Sequence, residues 1–251
     1  LPDSAEGNQA LSAKLQSAGL APQTLRPVLR KNGSAIWGFD VTRQTALAEW
    51  QRYRDRLEET GFYPLIMTGR ILSELEADWL SGADPSAENL RLAEGISAKA
   101  WLDERFAELE GIGDCEDNGE DSDESDGLLS LDRNAPGSTG PFALLLMPTR
   151  DPWAVFAYLD YGGWNAYPDA TEHVAVMKHW YLEHGAEPVL VSGDVIEMIV
   201  KHPVTSDEEC RRLAAEQAAY TAGDLVYQGV GSLGSLTRVL KNRKYWFFWW
   251  D

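Results

Sequence analysis

Apolar residues recur along this chain in two distinct periods, and the period changes mark its elements. Leu47, Trp50, Tyr53 and Leu57 repeat at helical spacing, so the pattern predicts a helix from a Thr42 cap to about Thr60, closed by Gly61. Before it, Ile36–Val41 reads as a strand, and Phe62–Met67 reads as the next. Residues 1–31 read as a leading arm with a short helix at Ala10–Ala18. Two further helical stretches follow, at about Ile71–Leu80 and Ala87–Glu110.

The second half repeats the alternation. Phe142–Met147, Ala154–Leu159, Pro188–Val191 and Val195–Lys201 read as strands. Asp169 and Glu172 stand at capping-box spacing ahead of a helix that Gly185 stops, and Thr205 and Glu208 form the same pattern before a stripe of Cys210, Leu213, Ala214 and Gln217. A short helix at about Leu236–Leu240 leads to Tyr245-Trp246-Phe247-Phe248-Trp249-Trp250-Asp251. Aromatic rings on both faces of that last segment need cover, which predicts a central strand. Glu59–Gly69 also echoes Glu183–Gly193, each with a glycine stop, a proline, three apolar residues, a hydroxyl and a glycine. The echo reads either as a duplicated helix–strand unit or as the chemistry shared by many helix-to-strand turns.

The expected fold is α+β with two lobes, each a small mixed or antiparallel sheet carrying helices on one side. The boundaries read as 1–112 for the N-terminal lobe, 113–141 for an acidic, Pro/Gly-containing linker and 142–251 for the C-terminal domain.

Composition adds a strong sign. Forty acids against 22 bases give a formal charge of −18 in 251 residues. Such a surface repels nucleic acid and anionic membrane and attracts a basic protein partner. The acids concentrate in the linker: Asp114, Glu116, Asp117, Glu120, Asp121, Asp123, Glu124 and Asp126, with no base among them. The run lacks the glycine and closing glutamate of a calcium loop, so it reads as a solvated linker or as a docking surface. Cys115 and Cys210 are the only cysteines, a usage that suits a reducing cytoplasm. No apolar run reaches transmembrane length and no signal segment is present, although a chain starting at Leu1 is compatible with a removed leader.

Candidate chemistry is sparse. Gly229-Val230-Gly231-Ser232-Leu233-Gly234 has dinucleotide-fingerprint spacing, but no sheet follows it and the charge disfavours a diphosphate, so it reads as a turn. His173, His179 and His184 cannot share one ion on one helix: His173 and His184 stand about 16 Å apart and His179 points elsewhere. They read as surface or half-buried residues, and neither a metal nor a cofactor is expected.

Several segments together carry a family resemblance: Gly162–Pro168, His173–Val176 with Trp180, Gly185–Glu187, Ser192–Glu197, Tyr220, Gln228-Gly229 and Tyr245–Asp251. Thr60–Leu65 resembles the family's upstream segment. Over about its last 110 residues the chain resembles a bacterial family known as domain of unknown function 4253. Many members have Cys where this chain has Tyr167, which counts against a required thiol nucleophile here. The resemblance implies a compact α+β domain and supplies no reaction.

Two functions are expected from these residues. The first is a non-enzymatic, cytoplasmic binding protein, a bacterial immunity protein that neutralises a basic toxin such as a nuclease. Its contacts would be the eight linker acids with the aromatics Trp153 and Trp164. The alternative is a hydrolase or small-ligand enzyme with its site at Trp164, Asn165, Asp169, His173, Asp194 and Gln228.

Overall fold

A computed structural model describes residues 2–20, 24–31, 34–69, 84–112, 127–132 and 141–251. The expected helix at Ile71–Leu80, Cys115 and the acidic run Asp114–Asp126 lie outside the described residues.

Among the described residues, the seven strands form one mixed sheet in the order β1-β2-β4-β3-β5-β6-β7. They are β1 (Arg26–Lys31), β2 (Ser34–Val41), β3 (Tyr63–Thr68), β4 (Phe142–Met147), β5 (Ala186–Val191), β6 (Val195–Val200) and β7 (Tyr245–Trp249). The expectation of two separate sheets is corrected by β4, which pairs antiparallel with both β2 and β3. Phe142–Met147 is apolar throughout and buried throughout, so it needs neighbours on both edges and both faces. An interior slot between two strands of the N-terminal half supplies them.

Helices cover both faces of this sheet, not one. The register sets Phe39, Leu144, Ile66, Leu190, Glu197 and Phe247 in one row across six strands. Tyr53 of helix α2 (Ala46–Arg54) packs on Phe39 in that row, at 5.3 Å between ring centroids. The alternate row contains Met67, Val191, Ile196 and Phe248. Phe248 stacks at 5.2 Å on Trp180 of the long helix Ala170–His184. The residues aligned by the internal echo, Ile66 and Leu190, lie side by side in the parallel pairing of β3 with β5. Their preceding glycines, Gly61 and Gly185, both adopt the left-handed conformation that closes a helix.

Beyond α1 (Ala5–Ser17), α2 and α3 (Leu57–Thr60), the α-helices among the described residues are α4 (Ser86–Ala93), α5 (Ala98–Ala107), α6 (Val155–Leu159), α7 (Ala170–His184), α8 (Asp207–Tyr220) and α9 (Leu233–Leu240). Several expected boundaries move. The helix expected from Thr42 breaks into α2 and α3, and Thr42 exchanges hydrogen bonds with Thr45 ahead of the first turn. The stretch at Ala87–Glu110 breaks at Gly95, after which Ser97 caps α5 through the Ala100 N–H. Ala154–Leu159 is helical and not a strand. It is a short buried apolar run whose period is uninformative, and Pro152 at the start of its first turn settles the matter. The cap of α8 is Ser206, paired with Glu209, one residue beyond the expected Thr205 and Glu208; both frames have the same spacing.

β7 is an edge strand, not a central one. Only the Trp246, Phe248 and Trp250 face is buried, while Tyr245, Phe247 and Trp249 are half exposed. Helical cover on one face therefore suffices for a six-aromatic segment.

The two halves are joined by charge as well as by the sheet. Arg54 at the end of α2 holds the Glu187 carboxylate of β5 with two hydrogen bonds, at 2.5 and 2.7 Å, and Lys201 adds a third contact. Glu187 is only 1% exposed, so these cations replace its water.

Candidate functional site

Between α6 and α7 the chain runs Asp160-Tyr161-Gly162-Gly163-Trp164-Asn165-Ala166-Tyr167-Pro168. Four of these residues take positive φ, among them Gly162 at 110° and Asn165 at 52°. Glycine tolerates such angles, and asparagine is among the few other residues that do so readily. A Cβ on Gly162 would lie 1.9 Å from the Pro168 carbonyl oxygen. The Tyr167 N–H closes a tight turn onto the Trp164 carbonyl, and the Gly163 N–H bonds that of Pro168. The loop is thereby folded back on itself, aiming Trp164 outward and Tyr167 inward.

This loop meets the β5–β6 turn and the end of β7 around a cleft of about 230 Å³, lined by Trp164, Asn165, Tyr167, Asp194, Trp249, Trp250 and Asp251. Tyr167 packs on Trp250 at 4.1 Å and on Trp164 at 5.0 Å. The walls are thus aromatic, and two exposed carboxylates, Asp194 and Asp251, stand at the rim. Ser192 donates a hydrogen bond to Asp194, and the Trp250 N–H bonds the Asp194 carbonyl, tying the turn to β7.

His173 lies behind the cleft wall. It is fully buried among the rings of Phe156, Tyr161, Tyr167, Tyr220 and Trp250, with centroids 4.7–6.3 Å away. Its Nδ1 shares a 2.5 Å hydrogen bond with the Tyr220 hydroxyl, and its Nε2 has no hydrogen-bond partner among the described residues. Burial, reinforced by the charge of Arg105, pushes its pKa down to about 3, so the imidazole is neutral at pH 7. Burial likewise raises Tyr167 and Tyr220 well above the ordinary tyrosine value. Neither this imidazole nor these two phenols exchanges a proton near neutrality. The expectation of a surface or half-buried histidine is overturned here by complete burial in aromatic rings.

The remaining expected residues separate. Asp169 spends its carboxylate on the capping box of α7, accepting from the N–H groups of Thr171 and Glu172 and from the Thr171 hydroxyl. Gln228 donates to Asp224, whose other oxygen takes the Asp251 N–H, so it braces the cleft from outside. The segment around it, Leu225–Val230, is a wide helical turn instead of the short strand that a dinucleotide site requires. Trp153 packs on Tyr181 in the last turns of α7, whereas Trp164 precedes the first turn, so they do not share a surface. The eight linker acids lie outside the described residues. Among the described residues no group of three His, Cys, Asp or Glu side chains is arranged to hold a metal.

Pattern reading missed Arg105. From α5 in the N-terminal half it donates to the carbonyls of Ala166 and Ala219 and lies 4.6 Å over Trp101, which itself donates to Glu172. One guanidinium thus ties the site loop to the end of α8. Nothing local to Arg105 signals this, because its acceptors are backbone oxygens far along the chain.

Comparison with known proteins addresses the same region. Residues 143–251 match a family model described as a domain of unknown function, DUF4253. The C-terminal part of the chain is similar to that family. No curated protein and no solved structure matches the chain. The DUF4253 match takes in the site loop, the His173 cage and β7, while Arg105 and Arg54, which brace the domain, precede it. Among the described residues, no helix is long and apolar enough to cross a membrane.

Proposed function

We propose that this chain is a non-enzymatic acidic binding protein whose DUF4253-like domain takes a cationic side chain of a basic protein partner, in the role of an immunity protein against a basic toxin. The observation that carries the reading is the cleft: four aromatic walls, Trp164, Tyr167, Trp249 and Trp250, with Asp194 and Asp251 at the rim. Aromatic faces attract cations by about 0.5–2 kcal/mol each, and a rim carboxylate adds a charge-assisted hydrogen bond. At about 230 Å³ the cleft is smaller than the roughly 300–1,000 Å³ of small-molecule sites and has room to admit the end of an Arg or Lys side chain. The charge of −18 favours the same partner at long range. The acidic run Asp114–Asp126 serves as a steering element in this reading.

A hydrolase is less well supported. Trp164, Asn165 and Asp194 do converge, but His173, the one strongly perturbed base near them, is sealed behind Tyr167 and Trp250 and cannot reach a substrate in the cleft.

Co-expression with the product of the adjacent gene tests the proposal. Wild-type chain should co-purify with that product and protect cells from it, and Asp194→Asn with Trp164→Ala should weaken the complex at least tenfold while the fold persists. No complex and no protection would overturn the partner; a complex indifferent to both substitutions would overturn the cleft as its contact.

A further inference from the structure

The two edges of the sheet differ in how they are protected. β1 carries Pro27 and a bulge between Pro27 and Leu29, both of which blunt an edge. β7 has neither: its register with β6 is regular throughout, and it contains no proline. The ladder to β6 is bounded by hydrogen bonds from the Val200 N–H to the Lys244 carbonyl and from the Trp250 N–H to the Asp194 carbonyl. In an antiparallel pair the bonding direction alternates, so Lys244, Trp246, Phe248 and Trp250 point their backbone groups at β6. Tyr245, Phe247 and Trp249 point theirs outward. Arg243 takes the Tyr245 carbonyl. No hydrogen bond from another described residue reaches the outward groups of Phe247 or Trp249. The free edge ends at Asp251, whose N–H is taken by Asp224.

We infer that β7 pairs antiparallel with β7 of a second copy, about a two-fold axis at Phe247, to make one sheet continuous through both chains. The register argues for a second copy as the occupant. Centring on Phe247 sets Phe247 opposite its own equivalent and Tyr245 opposite Trp249, so all three half-exposed aromatics gain cross-strand partners. The same register sets Arg243 opposite Asp251, and so places the basic end of one strand, Arg243-Lys244, beside the acidic end of the other, Asp251 with Asp224. A slip of two residues in either direction leaves one aromatic unpaired and separates Arg243 from Asp251. Such a two-fold interface is self-complementary by construction. The −18 charge of each copy opposes the association, so the dimer should strengthen as salt screens that repulsion.

The test is sedimentation velocity on the full chain across a concentration series at low and high salt, with three variants. Wild type should approach twice its 27.9 kDa mass as concentration and salt rise. Phe247→Pro removes only an outward N–H, leaving the ladder to β6 intact, and should give a folded monomer by circular dichroism. Arg243→Asp alone should weaken the dimer about tenfold, and Arg243→Asp with Asp251→Arg should restore it. A monomer at every concentration overturns the inference and leaves the edge to a strand of another protein. A dimer that persists in Phe247→Pro, or a charge swap that fails to rescue, overturns the β7 register.

Discussion

Replacing His173 with Phe isolates the cost of the buried imidazole. In the unfolded chain a histidine takes up a proton near pH 6.5; in the folded protein His173 does so only near pH 3, because burial removes the water that would solvate the cation. Between those values the unfolded state holds one more proton than the native state. Stability therefore falls by about 1.4 kcal/mol per pH unit on acidification, or about 5 kcal/mol over the whole window. Phe keeps an aromatic ring in the cage and strands only the Tyr220 hydroxyl, an offset of about 1–3 kcal/mol that does not depend on pH in this range. Urea unfolding followed by tryptophan fluorescence, from pH 7 to pH 4.5, reads the difference. The wild type should lose about 3 kcal/mol more than His173→Phe across that interval. His184, which burial also lowers, and Glu197, which burial raises, are common to both proteins and cancel in the difference. Parallel pH profiles would refute the reasoning, because they require His173 to titrate alike in both states.

Three further outcomes follow from the geometry. Arg54→Met leaves the Glu187 carboxylate buried with Lys201 alone and should cost about 3 kcal/mol, a fall in Tm of roughly 6–12 °C, whereas Arg54→Met with Glu187→Leu should recover most of it in a thermal melt. Gly162→Ala should cost about 2 kcal/mol or more in urea, from its φ of 110° and the Pro168 carbonyl in the way of a Cβ; Gly193→Ala, where a Cβ meets nothing within 4 Å, should cost no more than about 0.5 kcal/mol. Ser206→Ala should lose about 1 kcal/mol of stability and Thr205→Ala within about 0.5 kcal/mol of none, and equal losses would return the cap of α8 to the Thr205 frame.

Local chemistry was legible wherever the determinant was local. The capping box of Asp169 and Glu172 and the left-handed stops at Gly61 and Gly185 stand in the structure as the residues predict, because each acts within a few positions of itself. Where two local readings tie, pattern alone cannot choose: Thr205 and Ser206 both open a capping box, and Val155–Leu159 is too short and too apolar to show a period. The convergence of Trp164, Asn165 and Asp194 was anticipated because loop and turn residues with polar ends gather at strand termini. Trp249, Trp250 and Asp251 were missing from that set, since the chain end reaches the cleft only through the pairing of β7 with β6.

The amino-acid sequence by itself determined the type of those elements that show a clear period, the glycine stops at Gly61 and Gly185, the acidic character and the aromatic identity of the last strand. It did so because backbone propensity, capping and net charge are properties of short segments or of plain composition. Only the tertiary structure decided that β4 enters the sheet between β2 and β3, that β7 lies at an edge, that His173 is sealed in a ring of aromatics and that Arg54 and Arg105 of the first half brace the second. Strand order, burial and long-range hydrogen bonds depend on which apolar faces find one another across more than a hundred residues, and many pairings satisfy the same local pattern.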